Sequence, residues 1–243
     1  MTNRPRLRDS SQLTTQHVYD LNVFPEEIIK KIGGYLVYLI YIGRKDVTGE
    51  DWGDAFAEAI NGRHLDSPVG IADVVYDKNC WSMKTVKVSD PLSCDRVRLI
   101  SGRCSPDFSY GITDPHEDIN KTGEAVLNIW NERINIATDH YSRLRTAILI
   151  RSNDLSTYRL FEEETTRFRT TDYHWTVNSN GNLEGRDHHN KHCFTWQPHG
   201  SQFTIITDVP QEAVKFRIKQ PPTLRKDDVL RNIDFNDNWI TIL

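Results

Sequence analysis

The sequence predicts an α/β core that reaches about residue 165, followed by a β-rich C-terminal lobe. Three observations predict this fold class. Apolar residues recur at helical spacing in two early segments and one central segment. Runs rich in β-branched and aromatic residues, bounded by turns, lie between them. From Asp172 onward, short strand-like runs alternate with turn residues. No Pro- or Gly-rich linker separates residues 1–165 from residues 166–243, so we expect both parts to pack as one compact unit.

Three segments are predicted to be helices. Phe24–Tyr41 opens with a proline and two glutamates, which suit a first helical turn, and Gly33-Gly34 is its weak point. Trp52–Asn61 follows Thr48–Asp51, which has the pattern of a capping box. The third helix is predicted near Gly123–Tyr141, where apolar residues again recur at helical spacing.

A β-hairpin is predicted between the second and third helices. Its strands are Val69–Tyr76 and Cys80–Val88, joined by a turn at Asp77–Asn79. Further strands are predicted at Thr146–Arg151, Thr157–Phe161, Tyr173–Val177, His192–Trp196, Gln202–Thr207 and Val214–Ile218.

Composition limits the classes of function. The net charge of −4 argues against a uniformly basic nucleic-acid binder, but cations gathered in a cleft can still bind phosphates. The longest apolar run, Tyr35–Ile42, is too short to span a bilayer, so no membrane partner is expected. Residues 1–16 are polar and basic without an apolar signal-peptide core, and we interpret them as an arm on a cytoplasmic protein. The four cysteines form no C-x-x-C pair, which favours free thiols.

The residues that point to chemistry lie between Asp51 and Arg98. Glu58 lies on the second predicted helix, Asp73 in the first hairpin strand, and Ser82 and Lys84 in the second. Because side chains alternate along a strand, Ser82 and Lys84 share a face, and a short hairpin can place Asp73 beside it. A carboxylate can anchor Mg²⁺ beside a phosphate, and a lysine can orient the attacking water or stabilise charge. Asp54, on the same helix as Glu58, is an alternative for the helix acid.

This arrangement resembles the PD-(D/E)xK nuclease superfamily, in which a helix acid, a strand acid and an acid-x-Lys element occur in this order. The matching residues are Glu58, Asp73 and Lys84, and the resemblance covers about a fifth of the chain. It implies a mixed sheet flanked by helices, Mg²⁺ as cofactor, and Asp73 with Glu58 as metal ligands. Lys84 would then lie beside the attacking water.

Ser82 stands where the family pattern has its second carboxylate. The same replacement is known in a restriction-enzyme subgroup that recognises CCGG-type sites, where a later carboxylate compensates. That subgroup carries a K-D-R-x-R element, which Cys94-Asp-Arg-Val-Arg98 resembles without its first basic residue. The resemblance implies that Asp95 accepts from cytosine, and that Arg96 or Arg98 binds guanine. The spacing for the compensating acid falls near Arg103, which we count as a DNA-binding candidate, so Asp95 and Asp107 remain open as that acid.

The resemblance therefore implies a type II restriction endonuclease, which we expect in the bacterial cytoplasm. We expect a homodimer that cuts double-stranded DNA at a short palindromic site containing G·C pairs, because two-fold protein symmetry mirrors a palindrome. Two alternatives remain: another nuclease of the same superfamily, acting in repair or in a mobile element, and a non-catalytic binding module.

Two further motifs, a zinc site and a GIY-YIG nuclease element, are disfavoured. A zinc site among the histidines near Cys193 lacks paired ligand spacing, so a polar hairpin tip is favoured. The candidate ligands are His188, His189, His192 and His199. A GIY-YIG nuclease would need its two elements on separate strands, whereas here Gly34-Tyr35 and Tyr41-Ile-Gly43 share one helical run.

Overall fold

A computed structural model describes residues 18–243, apart from the side chains of residues 67 and 69. The described part contains five α-helices and two β-sheets. The helices are α1 (Glu26–Tyr41), α2 (Gly49–Ile60), α3 (Pro106–Tyr110), α4 (Ile119–His140) and α5 (Lys226–Asn232). The predicted arm of residues 1–16 lies outside the described residues.

The first sheet contains six strands in the order β1-β2-β3-β5-β6-β11. These are β1 (Arg63–Val69), β2 (Ala72–Tyr76), β3 (Asn79–Val88), β5 (Arg143–Ser152), β6 (Thr157–Glu164) and β11 (Val214–Arg217). Strands β3 and β5 are parallel and the other pairs are antiparallel, so the sheet is mixed. Helices α1 and α2 pack on one face, around a core that includes Trp52, Phe56 and Trp81. The expectation of an α/β protein with a mixed sheet and flanking helices is confirmed.

The second sheet is antiparallel, with strand order β4-β10-β9-β8-β7. Its strands are β4 (Arg96–Arg103), β7 (Tyr173–Val177), β8 (Leu183–Asp187), β9 (His192–Gln197) and β10 (Gln202–Asp208). Val97 and Leu99 of β4 pack against Ile148 and Phe161 of the first sheet, and α4 packs beside them on the same face. Strand β4 precedes residue 165 and β11 follows it, so a division at residue 165 does not separate the two sheets.

Local chemistry explains where several elements begin. The predicted capping box of α2 is present, with Thr48 Oγ1 accepting from the Asp51 amide. Helix α4 begins four residues before the predicted Gly123 because Asp118 caps its first turn. The first predicted hairpin strand began at Val69, but Gly70 has a positive φ of 66° and forms the turn between β1 and β2. Strand β1 contains Pro68 and several polar residues and lacks the alternation of apolar and polar residues, so the sequence pattern does not predict it.

A buried ion pair joins the N-terminal segment to the first sheet. Glu162 of β6 is fully buried and pairs with Arg145 of β5 at 3.0 Å. Its Oε1 accepts hydrogen bonds of 2.7 Å from the Tyr19 hydroxyl and the Trp81 indole. Each charge and each donor therefore has a partner, which is the condition for keeping an ion pair in an interior.

No helix in residues 18–243 combines the length and apolar character that crossing a bilayer requires.

Two helical glycines are expected to respond oppositely to alanine. Gly34 of α1 has open space where a Cβ would lie, so Gly34→Ala is expected to stabilise the fold by about 1 kcal/mol. A Cβ at Gly123 of α4 would lie 2.1 Å from the buried Trp175 ring, so Gly123→Ala is expected to destabilise by about 1–3 kcal/mol through overpacking. Urea unfolding of both variants measures the two effects, and equal shifts would contradict the packing described for α4.

Candidate active site

Strands β2 and β3 separate at Asp73. Their backbone pairing ends with Val74 opposite Trp81. At the next position the Asp73 side chain replaces the backbone as acceptor, because its Oδ2 accepts 2.7 Å from the Met83 amide. The Ser82 hydroxyl lies 3.3 Å from the same oxygen. The carboxylate is therefore fixed in orientation at the point where β3 stops pairing with β2 and pairs with β5 alone.

Asp73, Ser82 and Lys84 lie on one face of the sheet. The neighbours of Ser82 in β3, Trp81 and Met83, belong to the core under α1 and α2, so Ser82 and Lys84 point to the opposite face. Asp73 reaches that face, where its charge acts on Lys84. The structure therefore brings together three of the four predicted catalytic residues.

The surroundings of Lys84 disfavour its charged form. Burial lowers the pKa of Lys84, and the neighbouring Arg133 lowers it further, whereas Asp73 acts in the opposite direction. Lys84 and Arg133 are two cations beside one carboxylate, that of Asp73, so these three side chains together carry an excess of positive charge. An anionic partner such as a phosphate would be attracted to this excess.

Arg133 is a site residue that the sequence reasoning missed. It projects from α4, and its guanidinium donates to the main-chain carbonyls of Ser101, at 3.4 Å, and Arg103. Gly102 has a positive φ of 100°, and a Cβ there would lie 2.2 Å from Arg133 Nη1. The signal was available: Arg133 follows the buried Val126 by seven residues, which places a cation on the apolar stripe of the helix.

Glu58 is not brought to this group. It is exposed on α2, which packs on the opposite face of the sheet through Phe56 and Trp81. Its charge acts instead on Tyr35 of α1, where burial and then Asp54 and Glu58 raise the pKa of the tyrosine. Within the described residues no hydrogen bond joins Glu58 to Asp73, and shared metal binding by the two stays a prediction.

The alternative helix acid has a different partner. Asp54 contacts His64 Nδ1 of β1 at 2.7 Å, and His64 is the backbone partner of Val74, the neighbour of Asp73 in β2. Gly53 permits this approach, because a Cβ there would lie 2.4 Å from the His64 ring.

The predicted DNA-binding residues line β4. Arg96 and Arg98 alternate with the buried Val97 and Leu99, and both point to the outer face of the second sheet. Arg103 is exposed at the far end of the strand, where Arg133 contacts its carbonyl. One strand therefore links the predicted base-reading residues to the neighbourhood of Lys84.

Neither candidate for the compensating acid has a contact with Lys84. Asp95 is exposed just before β4, and the eight residues of that strand span about 26 Å. Asp95 therefore lies far from the Ser101–Arg103 end that Arg133 contacts. Asp107 is exposed in the first turn of α3.

Within the described residues, no group of three or more His, Cys, Asp or Glu side chains is arranged to hold a metal ion. Of the histidines considered for zinc, His188 and His189 have rings 4.0 Å apart, and His192 Nε2 lies 2.7 Å from the Phe194 carbonyl.

The donors at Asp73 nevertheless fit one kind of cation. Oδ2 is occupied by the Met83 amide and Ser82 hydroxyl, while Oδ1 has no hydrogen-bond partner in the described chain. Mg²⁺ is commonly held by one or two carboxylates and takes its other ligands from water and substrate phosphate. Asp73 fits such a site and does not form a closed protein cage.

Comparisons of the chain with protein-family models, with curated proteins and with solved structures each found no match. The case for a function therefore depends on the residues and their geometry.

Proposed function

We propose that the protein is a Mg²⁺-dependent DNA endonuclease of the PD-(D/E)xK type, most simply a homodimeric type II restriction enzyme of the bacterial cytoplasm. One observation carries the proposal. Asp73, Ser82 and Lys84 share the face at which β2 and β3 diverge, with the Asp73 carboxylate fixed by the β3 backbone. The sequence order of Asp73 and Lys84, which matches the resemblance, and the mixed sheet support it.

Each residue has a role in phosphodiester hydrolysis. A bound Mg²⁺ would stabilise charge on the phosphate and lower the pKa of a water. Asp73 would hold the cation through its free oxygen, while Ser82 and the Met83 amide keep the carboxylate oriented. Lys84 would orient the attacking water and stabilise the developing negative charge, and Arg133 would add positive charge beside it.

The exposed arginines of β4 would bind DNA. Guanine presents two acceptors in the major groove, which an arginine binds through two parallel N–H groups. Arg98 suits this role better than Arg96, because Arg96 already pairs with Asp208 at 2.9 Å. Asp95 would accept from cytosine, and Arg103 would contact the backbone.

Digestion of unmethylated phage DNA tests the proposal. We expect the wild-type protein to give discrete fragments in Mg²⁺ and none in EDTA, and we expect Lys84→Ala to give none in either. Mapping the fragment ends then identifies the site. Identical fragments from Lys84→Ala would show that the proposed residues do not carry the activity.

One observation favours a second candidate, a non-catalytic DNA-binding module. Among the described residues, Asp73 is the one carboxylate that acts on Lys84, and Ser82 stands in place of the second acid of the pattern. This candidate predicts equal DNA affinity in Ca²⁺ and EDTA, and no cleavage in Mg²⁺ or Mn²⁺.

A further inference from the structure

The outer face of the second sheet is open along β4. Val97 and Leu99 point inward and are buried, while Arg96, Arg98 and Ile100 point outward. Ile100 is 60% exposed, so no described segment covers this part of the face. A sheet face of this kind can lie against a DNA groove and contact the base edges there.

The two arginines on this face are held differently. Arg96 belongs to a local network in which Asp208 pairs with Arg96 at 2.9 Å and with Lys191 at 2.6 Å. Arg98 has no ion-pair partner in the described chain, and its Nη2 donates instead to Thr195 Oγ1 at 2.9 Å. Arg98 therefore keeps its net charge and most of its N–H donors for an external acceptor.

Arg98 lies across the sheet to reach Thr195. Strand β10 separates β4 from β9, and Ile206 of β10 is the backbone partner of Arg98. The Arg98 side chain therefore crosses β10, and its guanidinium is held at the far end by a hydroxyl of β9.

His192 in turn fixes the hydroxyl. Its Nε2 lies 3.0 Å from Thr195 Oγ1 and 2.7 Å from the Phe194 carbonyl. Because a carbonyl can only accept, Nε2 carries the hydrogen and donates to the two oxygens. Burial lowers the pKa of His192, which favours the neutral ring. Thr195 is buried, so neighbouring protein atoms rather than water surround the hydroxyl that accepts from Arg98.

We propose that this face is a DNA-reading surface, in which Thr195 and His192 are positioning residues that hold Arg98 for the two acceptors of a guanine. The inference rests on the DNA partner of the proposed function and deepens it, since it assigns the positioning of a base-reading arginine to two residues of the C-terminal lobe, Thr195 and His192. A guanidinium held before binding loses less conformational freedom on contact, and its fixed plane selects the correct base edge.

Selection from a random duplex library in Ca²⁺ tests the inference without requiring cleavage. We expect the wild-type protein to enrich a motif containing a G·C pair, and Arg98→Ala to lose preference at that pair. Thr195→Val should weaken the preference at the same pair by roughly tenfold and leave the other positions unchanged. Thr195→Ser, which restores a hydroxyl, should restore it.

Thr204 provides the matched control. It lies opposite Thr195 on β10 and is similarly buried, but no hydrogen bond joins it to Arg98. Thr204→Val should therefore leave the motif unchanged, whereas a general loss of fold would affect both valine variants. An unchanged motif in Thr195→Val, or no motif from the wild-type protein, would overturn the inference. If the wild-type protein enriches a motif but does not cleave DNA in Mg²⁺, the proposed nuclease activity is overturned and the DNA-reading surface stands.

Discussion

Lys84→Met is expected to abolish cleavage and to raise the stability of the fold. Loss of the ammonium group removes charge stabilisation at the phosphate, for which a decrease in cleavage rate of about a thousandfold is expected. The fold gains because burial lowers the pKa of Lys84, which means that the protonated form costs stability. Methionine has a similar length and no charge, so we expect the free energy of unfolding to rise. Residues that serve catalysis commonly show this opposition between activity and stability.

The pH dependence of this gain has a definite sign. The pKa of Lys84 is lower in the folded than in the unfolded chain, so the stability cost is present in full below the folded pKa. It disappears as pH rises from that value to the ordinary pKa of lysine. Urea unfolding should therefore show a larger advantage of Lys84→Met at pH 7 than at pH 10.

Lys87→Met is the matched control. Lys87 lies on the same strand but is exposed, so its replacement should change neither the cleavage rate nor the stability. A Lys84→Met protein that cleaves at the wild-type rate, or that loses more than about 1 kcal/mol of stability, would contradict the environment described for Lys84.

Glu162→Ala is expected to cost about 3–5 kcal/mol of stability, the range for breaking one side of a buried ion pair. The substitution leaves Arg145 charged, with only a tenth of its side chain exposed, and removes the acceptor of the Tyr19 hydroxyl and Trp81 indole. For a chain of this size, the melting temperature should fall by roughly 10 °C.

Thermal unfolding of Glu162→Ala beside Glu164→Ala measures this effect. Glu164 lies two residues further along β6 and is exposed, so its replacement should shift the melting temperature little. Any DNA cleavage by Glu162→Ala well below its melting temperature should match the wild type, because Glu162 lies on the face opposite Asp73. Equal melting temperatures for the two variants would show that the buried pair does not hold the N-terminal segment on the sheet.

Local patterns predicted that Asp73, Ser82 and Lys84 lie together, because this grouping depends on residues close in the sequence. A strand period of two placed Ser82 and Lys84 on one face, and a short hairpin placed Asp73 beside them. Glu58 could not be placed by such reasoning, because the position of α2 on the sheet depends on packing between elements, such as that of Phe56 on Trp81. Periodicity shows which side of a helix is buried, but it does not show on which face of the sheet the helix packs.

Pairing between distant strands could not be predicted. Strand β4 joins the lobe through β10, about a hundred residues later in the chain, and β11 returns to β6 of the first sheet. No local pattern encodes such register, which is decided by the packing of Val97 and Leu99 against the first sheet. Two contacts depend on this pairing and could not be predicted either: that of Arg98 with Thr195, and that of Arg133 with the end of β4.

The most direct measurement of the central claim is the rate at which supercoiled plasmid containing the mapped site is cut by the wild-type protein and by Asp73→Asn, in Mg²⁺ and in EDTA. Asparagine can still accept from the Met83 amide, so the variant should fold while losing the charge that would hold the cation. We expect linear product from the wild-type protein in Mg²⁺ only, and a rate at least about a hundredfold lower for Asp73→Asn. Equal rates for both proteins, or cleavage by the wild-type protein in EDTA, would contradict the assignment of Asp73, Ser82 and Lys84 as a metal-dependent nuclease site.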